Sequence, residues 1–144
     1  MRVMLDTNIL VSMVFFTNKS FAQVLEYINQ EHRLVLSSFV INELVAVAGK
    51  KFPAQKDSID RFLSRLTYEF VYTPHKMQNG LFFVRDRDDY PVLYTAIIED
   101  IDILITGDRD LTSVSIEKPE ILTPSAFIEK YMDDWLQNIY RQIK

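Results

Sequence analysis

Short aliphatic runs alternate along the chain with longer stretches whose apolar residues recur at helical spacing. That alternation predicts βαβ units wound around a largely parallel sheet. A first strand is expected over Arg2–Leu5 and a helix from there through Phe16. A second helix runs from about Ser20 to Asn29, with Ser20 as a candidate cap and Phe21, Val24, Leu25 and Ile28 at helical spacing. Leu34–Ser37 reads as strand two. Ser38 can cap the next helix, which carries Val40, Leu44, Val47 and Ala48 on one stripe and ends near Gly49 and Pro53.

Ala54–Leu66 predicts another helix, with Ile59, Phe62, Leu63 and Leu66 inward, and Glu69–Thr73 a third strand stopped by Pro74. From His75 to Arg85 no periodicity decides between helix and strand, and Gly80 breaks the segment. A helix over about Asp89–Asp100 leads to a strand at Ile103–Thr106, a turn at Gly107 and a short edge strand near Glu120–Leu122. The last helix begins at Ser125, with Phe127, Ile128, Tyr131, Trp135 and Ile139 as its apolar positions. No repeat, linker or low-complexity tract interrupts the pattern, so one domain is expected over residues 1–144.

Composition narrows the chemistry. The 144 residues include no cysteine, which excludes disulfides and thiolate metal sites. With only His32 and His75 as imidazoles, any metal is expected to be held by oxygen. The apolar opening Val3–Phe16 is interrupted by Asp6 and Asn8, a poor match to a signal peptide, and no apolar run is long enough to span a bilayer. A cytoplasmic protein is the expectation. The formal charge of −4 argues against a broadly basic nucleic-acid surface. It leaves open a local one, because bound cations turn an acidic cluster into a phosphate site.

Four acids stand where bland surface charges do not belong. Asp6 directly follows Val3-Met4-Leu5, at the carboxyl end of a strand expected to be covered on both faces. A lone buried carboxylate is costly there unless a cation or hydrogen bonds compensate it; capping of the following helix is the competing account. Glu43 falls between Val40 and Val47 along the inward stripe, unless that edge is solvated and Glu43 pairs with Lys50 or Lys51. Asp86, Asp88 and Asp89 crowd the start of a helix with Val92, Leu93, Ala96 and Ile97 inward. They can serve only the helix macrodipole, but Asp89 lies on the inward line, with Asp88 its nearest competitor. Asp108, in Thr106-Gly107-Asp108-Arg109-Asp110, follows the aliphatic strand Ile103-Leu104-Ile105, where an Asp-containing turn is the simpler alternative.

Ligands of open α/β sheets bind beyond the carboxyl ends of the strands, so Asp6 and Asp108 both point to the expected crevice. Carboxylates gathered there repel one another unless a cation binds or some are protonated. The cluster reads as a metal site, and oxygen-only ligation favours Mg²⁺ or Mn²⁺.

At this level of detail the sequence resembles the PIN domain, the fold that includes VapC-type toxin nucleases. The resemblance covers nearly the whole chain. Its pieces are Leu5-Asp6-Thr7-Asn8, Asn42-Glu43-Leu44, Asp88-Asp89 preceding Thr95-Ala96, and Thr106 to Leu111. Arg85 to Asp89 and Pro119 to Pro124 look most like the branch of toxins in toxin–antitoxin systems. Pro91, Leu93 and Tyr94 depart from the small, Ala-rich residues that relatives often carry.

The resemblance implies an α/β three-layer domain with a five-stranded parallel sheet in the order 3-2-1-4-5. It places the acidic quartet on Asp6, Glu43, Asp89 and Asp108, with Asp110 as a fifth acid and Thr7, Asn8 and Thr106 in support. It implies metal-dependent hydrolysis of single-stranded RNA, an antitoxin protein as partner, and a homodimer, for which the apolar face of the last helix with Tyr131, Trp135 and Ile139 is a second ground unless it packs onto the domain. Arg87 and Arg109 are candidate phosphate contacts, with pairing to the adjacent aspartates as the alternative. A phosphatase of the haloacid-dehalogenase type needs a second Asp where Asn8 stands. A receiver domain needs an Asp after strand three, where the chain has Thr73-Pro74-His75. The stronger rival is a catalytically silent PIN-like module acting in protein or nucleic-acid assembly.

Overall fold

The computed structural model describes residues 1–143; residue 144, the last of the expected domain, lies outside the described residues. Five strands form one sheet, β1 (Arg2–Leu5), β2 (Arg33–Ser37), β3 (Glu69–Val71), β4 (Ile103–Ile105) and β5 (Glu120–Leu122). They are parallel throughout and ordered β3-β2-β1-β4-β5, as expected. Val3, Met4 and Leu5 of the central strand, Leu34 to Leu36 and Ile103 to Ile105 are at most 2% exposed. Consecutive residues point to opposite faces, so the sheet is covered by helices on both.

The helices are α1 (Thr7–Phe15), α2 (Lys19–Glu31), α3 (Ser38–Lys51), α4 (Lys56–Arg65), α5 (Asp89–Ile98), the single turn α6 (Arg109–Thr112), α7 (Pro124–Phe127) and α8 (Asp133–Ile143). Two caps differ from the expected ones by one or two residues. The Asn18 side chain accepts the Phe21 N–H at 3.1 Å, which puts Ser20 inside the first turn of α2. Ser37, still extended as the last residue of β2, caps α3 by accepting the Val40 N–H at 3.2 Å. Ser38 accepts instead the Thr73 N–H at 2.9 Å. That bond takes Thr73 out of strand pairing, so β3 ends at Val71 and not at Thr73.

Helix α5 stops at Ile98, and Asp100 turns the chain with a φ of 55°. The last helical segment starts at Pro124, with Thr123 accepting the Ala126 N–H at 3.2 Å, and contains a π-helical turn over Ile128–Met132. The wider turn shifts the helical phase so that Phe127 and Met132, five residues apart, are both fully buried. Trp135 donates to the Gln30 side chain at 2.9 Å and lies edge-on to Tyr27, with ring centroids 5.4 Å apart. Tyr131 and Trp135 therefore pack within the chain. No helix among the described residues is long and apolar enough to cross a membrane.

Candidate active site

The parallel register aligns Leu5 with Ile105 and thereby brings the residues that follow β1 and β4 together. The Asp6 N–H donates to the Ile105 carbonyl at 2.9 Å. Asp6 is 5% exposed and both of its carboxylate oxygens are engaged. Oδ1 accepts the Thr7 N–H at 2.7 Å, which makes Asp6 the N-cap of α1; Oδ2 accepts the hydroxyl of buried Thr106, also at 2.7 Å. Capping and a place beside Asp108 are thus combined in one residue. Burial pushes the Asp6 carboxyl above the usual range, with nearby Asp108 adding to it and the two hydrogen bonds opposing it.

Thr106 also accepts the Asp108 N–H at 3.0 Å, and Asp108 Oδ1 in turn accepts the Asp110 N–H at 2.9 Å, starting α6. This chain of bonds orients Asp108 and folds Asp110 back beside it. The carboxylates of Asp89, Asp108 and Asp110 converge, each offering an oxygen within 4.8 Å of the other two. Asp89 is 7% exposed, and its Oδ2 is buried without a hydrogen-bond partner among the described residues. Its carboxyl is pushed up to about 8, by burial first, then by a proton shared with Asp108 and by the charges of Asp108, Asp6 and Asp86. A buried carboxylate oxygen facing two other carboxylates, with no donor supplied, fits a hard divalent cation.

Glu43 reaches the same crevice from α3. Its Oε1 accepts the Thr7 hydroxyl at 2.7 Å, and neither Lys50 nor Lys51 forms an ion pair with it among the described residues. Burial raises its carboxyl, and the charges of Asp88, Asp6 and Asp86 add to the rise against the Thr7 bond. Asp88, by contrast, is exposed, and its side chain caps nothing: Asp86 Oδ1 accepts the Asp88 N–H at 3.0 Å and shapes the turn into α5. Asn8 lies exposed on the first turn of α1.

A family model for the PIN domain matches residues 2–110. The chain belongs to the PIN-domain family. No protein of curated function matches its sequence significantly. Among solved structures, it is similar to a chain of VapBC2 from Rickettsia felis bound to a DNA fragment from their promoter. The two are 27% identical with a TM-score of 0.66, over 85% of this chain and 97% of that one. A toxin–antitoxin complex from Klebsiella pneumoniae shares the fold, at 22% identity and a TM-score of 0.58 over the same fractions.

Within this PIN domain, the basic residues differ from those singled out in the sequence. Arg87 and Arg109 are both exposed and form no ion pair among the described residues, so pairing with the adjacent aspartates is not what occupies them. The cation nearest the acids is Arg85, whose Nη1 lies 3.8 Å from Asp110. Arg85, Asp86, Arg87, Asp88 and Asp110 line an open groove of about 550 Å³ leading to the carboxylates. The alternation of sign in Arg85-Asp86-Arg87-Asp88 was the available signal for Arg85.

Proposed function

We propose that this PIN domain, acting as one unit over residues 1–144, is a metal-dependent endoribonuclease for single-stranded RNA and the toxin of a toxin–antitoxin pair in the cytoplasm. The observation that carries the reading is the convergence of Asp89, Asp108 and Asp110 within 4.8 Å, with a buried Asp89 oxygen that no donor among the described residues satisfies. Such an arrangement is costly without cations and suited to holding them.

In this reading Asp89, Asp108 and Asp110 hold Mg²⁺ or Mn²⁺, with Asp6 and Glu43 completing the acidic crevice. A divalent ion held there would supply Lewis-acid activation of water and neutralise charge on the phosphodiester. Thr106 and the Thr7 N–H fix the Asp6 carboxylate, and the Thr7 hydroxyl fixes Glu43, so neither acid has to be reoriented when RNA arrives. Only Oε1 of Glu43 is hydrogen-bonded among the described residues; its other oxygen takes up the proton of the attacking water. Arg85, Arg87 and Arg109 steer the phosphates of the strand, with Arg85 nearest the acids.

The antitoxin partner is inferred from the toxin–antitoxin assemblies that share the fold. The homodimer rests on the family resemblance, because the aromatic residues of the last helix are used inside the chain. The deciding experiment incubates purified protein with single-stranded RNA in excess chelator, then with Mg²⁺ or Mn²⁺ restored. Cleavage is expected only with metal. Cleavage undiminished by chelator refutes the metal site, and no cleavage under any condition favours the silent binding module.

A further inference from the structure

Residues 72–88, between β3 and α5, form no helix or strand, yet the segment is held firmly. The Tyr90 hydroxyl donates to the Gln78 carbonyl, and the Tyr94 hydroxyl accepts the Gln78 N–H at 3.1 Å. Phe82 stacks on Tyr90, with centroids 4.4 Å apart and ring planes 18° from parallel. Beyond that anchor burial alternates: Phe82 and Val84 pack against the core, while Phe83 and Arg85 face solvent. Phe83 is 81% exposed, more than any other large apolar side chain among the described residues.

Phe83 is not an isolated surface residue. With Phe82, Tyr90, Pro91, Met77 and Arg87 it lines a recess of about 350 Å³. Phe83, Arg85 and Asp110 also line a smaller hollow of about 210 Å³. Arg85, Arg87 and Asp110 line the groove already described. Shared residues make the three depressions neighbours, in a row from Asp110 to an aromatic face with two guanidinium groups along it.

That order of groups matches a polynucleotide strand. Carboxylates with bound cations and arginines take phosphates, and a rigid aromatic face takes a base. Only an unpaired base can lie flat on a side chain standing on a loop, which selects single-stranded over duplex RNA. A hydrophobic peptide is a poorer match, since the apolar recess is short and flanked by charge. We propose that Phe83 is a base-stacking, specificity-determining residue that seats one unpaired nucleobase of the substrate a short way along the strand from the scissile phosphate, with the intervening phosphates on Arg85 and Arg87. The inference rests on the nuclease reading for the identity of its ligand.

The test measures affinity and cleavage separately, on the full chain and its Phe83→Ala and Phe83→Trp variants. Affinity for short fluorescent single-stranded RNAs is read by anisotropy with Ca²⁺ in place of Mg²⁺; cleavage is read with Mg²⁺ or Mn²⁺. Phe83→Ala is expected to weaken binding about tenfold and Phe83→Trp to restore it, the size expected for loss of one stacked base. An abasic site at one position of the RNA should weaken wild-type binding by a similar factor and leave Phe83→Ala unaffected, because the two changes remove the same contact. At 81% exposure the alanine variant keeps its fold. Equal affinity of wild type and Phe83→Ala overturns the stacking site, even if that variant has lost a protein partner, and leaves the nuclease reading intact when RNA is still cut. Phe83-dependent binding without cleavage supports the site and removes the nuclease reading. RNA that neither protein binds or cuts overturns both.

Discussion

Replacing Asp89 by Asn separates a metal ligand from a structural acid, because the two roles have opposite effects on stability. In the metal-free protein the Asp89 carboxyl is held at about 8 by burial and by Asp108. An unfolded chain releases that proton near 3.9. Folding therefore favours the protonated form. The stability that this provides is complete below about pH 4 and is lost as pH rises through about 8, accumulating at about 1.4 kcal/mol per pH unit. At pH 7 the loss has a ceiling of about 4 kcal/mol, and rotation of the carboxylate toward water halves it to about 2 kcal/mol. Asn is nearly isosteric, carries no charge at any of these pH values, and its amide can donate to Asp108.

In excess chelator, the Asp89→Asn variant should thus melt above wild type at pH 8 by several degrees, about 4–8 °C for 2 kcal/mol in a chain of this size. The gap should close toward pH 4. Mn²⁺ should reverse the order, since ligand binding to the folded state stabilises the protein that binds it more tightly. The assay is thermal unfolding of both proteins at several pH values, with chelator and with Mn²⁺, alongside RNA cleavage. Cleavage should be lost in the variant. A variant that melts below wild type in chelator at pH 8 would show that Asp89 serves the fold and refute the argument from repulsion.

Asp88→Asn should retain activity within about threefold, because the residue is exposed and its side chain caps nothing; surface changes of this kind stay within about 0.5 kcal/mol. An inactive Asp88→Asn beside an active Asp89→Asn would reverse the assignment. Cleavage products should carry a 5′-phosphate and a 3′-hydroxyl, read by end-labelling, if water and not the ribose hydroxyl is the nucleophile as proposed; a 2′,3′-cyclic phosphate excludes that mechanism. Sedimentation at high protein concentration should show a dimer, and the Trp135→Ala variant should leave it intact while lowering the melting temperature, because Trp135 packs on Tyr27 and Gln30 within the chain.

The parts of the site that could be read from the sequence are those in which a charge interrupts a strongly apolar element. Asp6 and Asp108 follow strands whose residues are almost wholly buried, so their own environment was constrained by what precedes them. Glu43 interrupts the stripe of Val40, Leu44 and Ala48, all fully buried. Asp89 shares the line of Val92, Leu93 and Ala96, and its burial beside an exposed Asp88 follows from helical geometry. What could not be read depends on contacts between distant segments. The tight group is Asp89, Asp108 and Asp110; the family resemblance offered Asp110 only as a fifth acid, and that it stands closer to Asp89 and Asp108 than Asp6 or Glu43 do depends on the one-turn helix α6, whose four residues are too few to leave a periodic signal.

The segment 72–88 makes the same point more strongly. Its order comes from the hydroxyls of Tyr90 and Tyr94, which bond to the backbone at Gln78, and from the Phe82–Tyr90 stack. None of these is a local pairing, so no pattern within His75 to Arg85 could announce them. The same tyrosine, Tyr94, belongs to the departure from the small residues that PIN domains often carry on this helix. A larger side chain there has a use: its hydroxyl reaches out to fasten the loop that displays Phe83, Arg85 and Arg87 beside the acids. The departure thus links a difference in sequence to the surface on which a difference in substrate preference can arise.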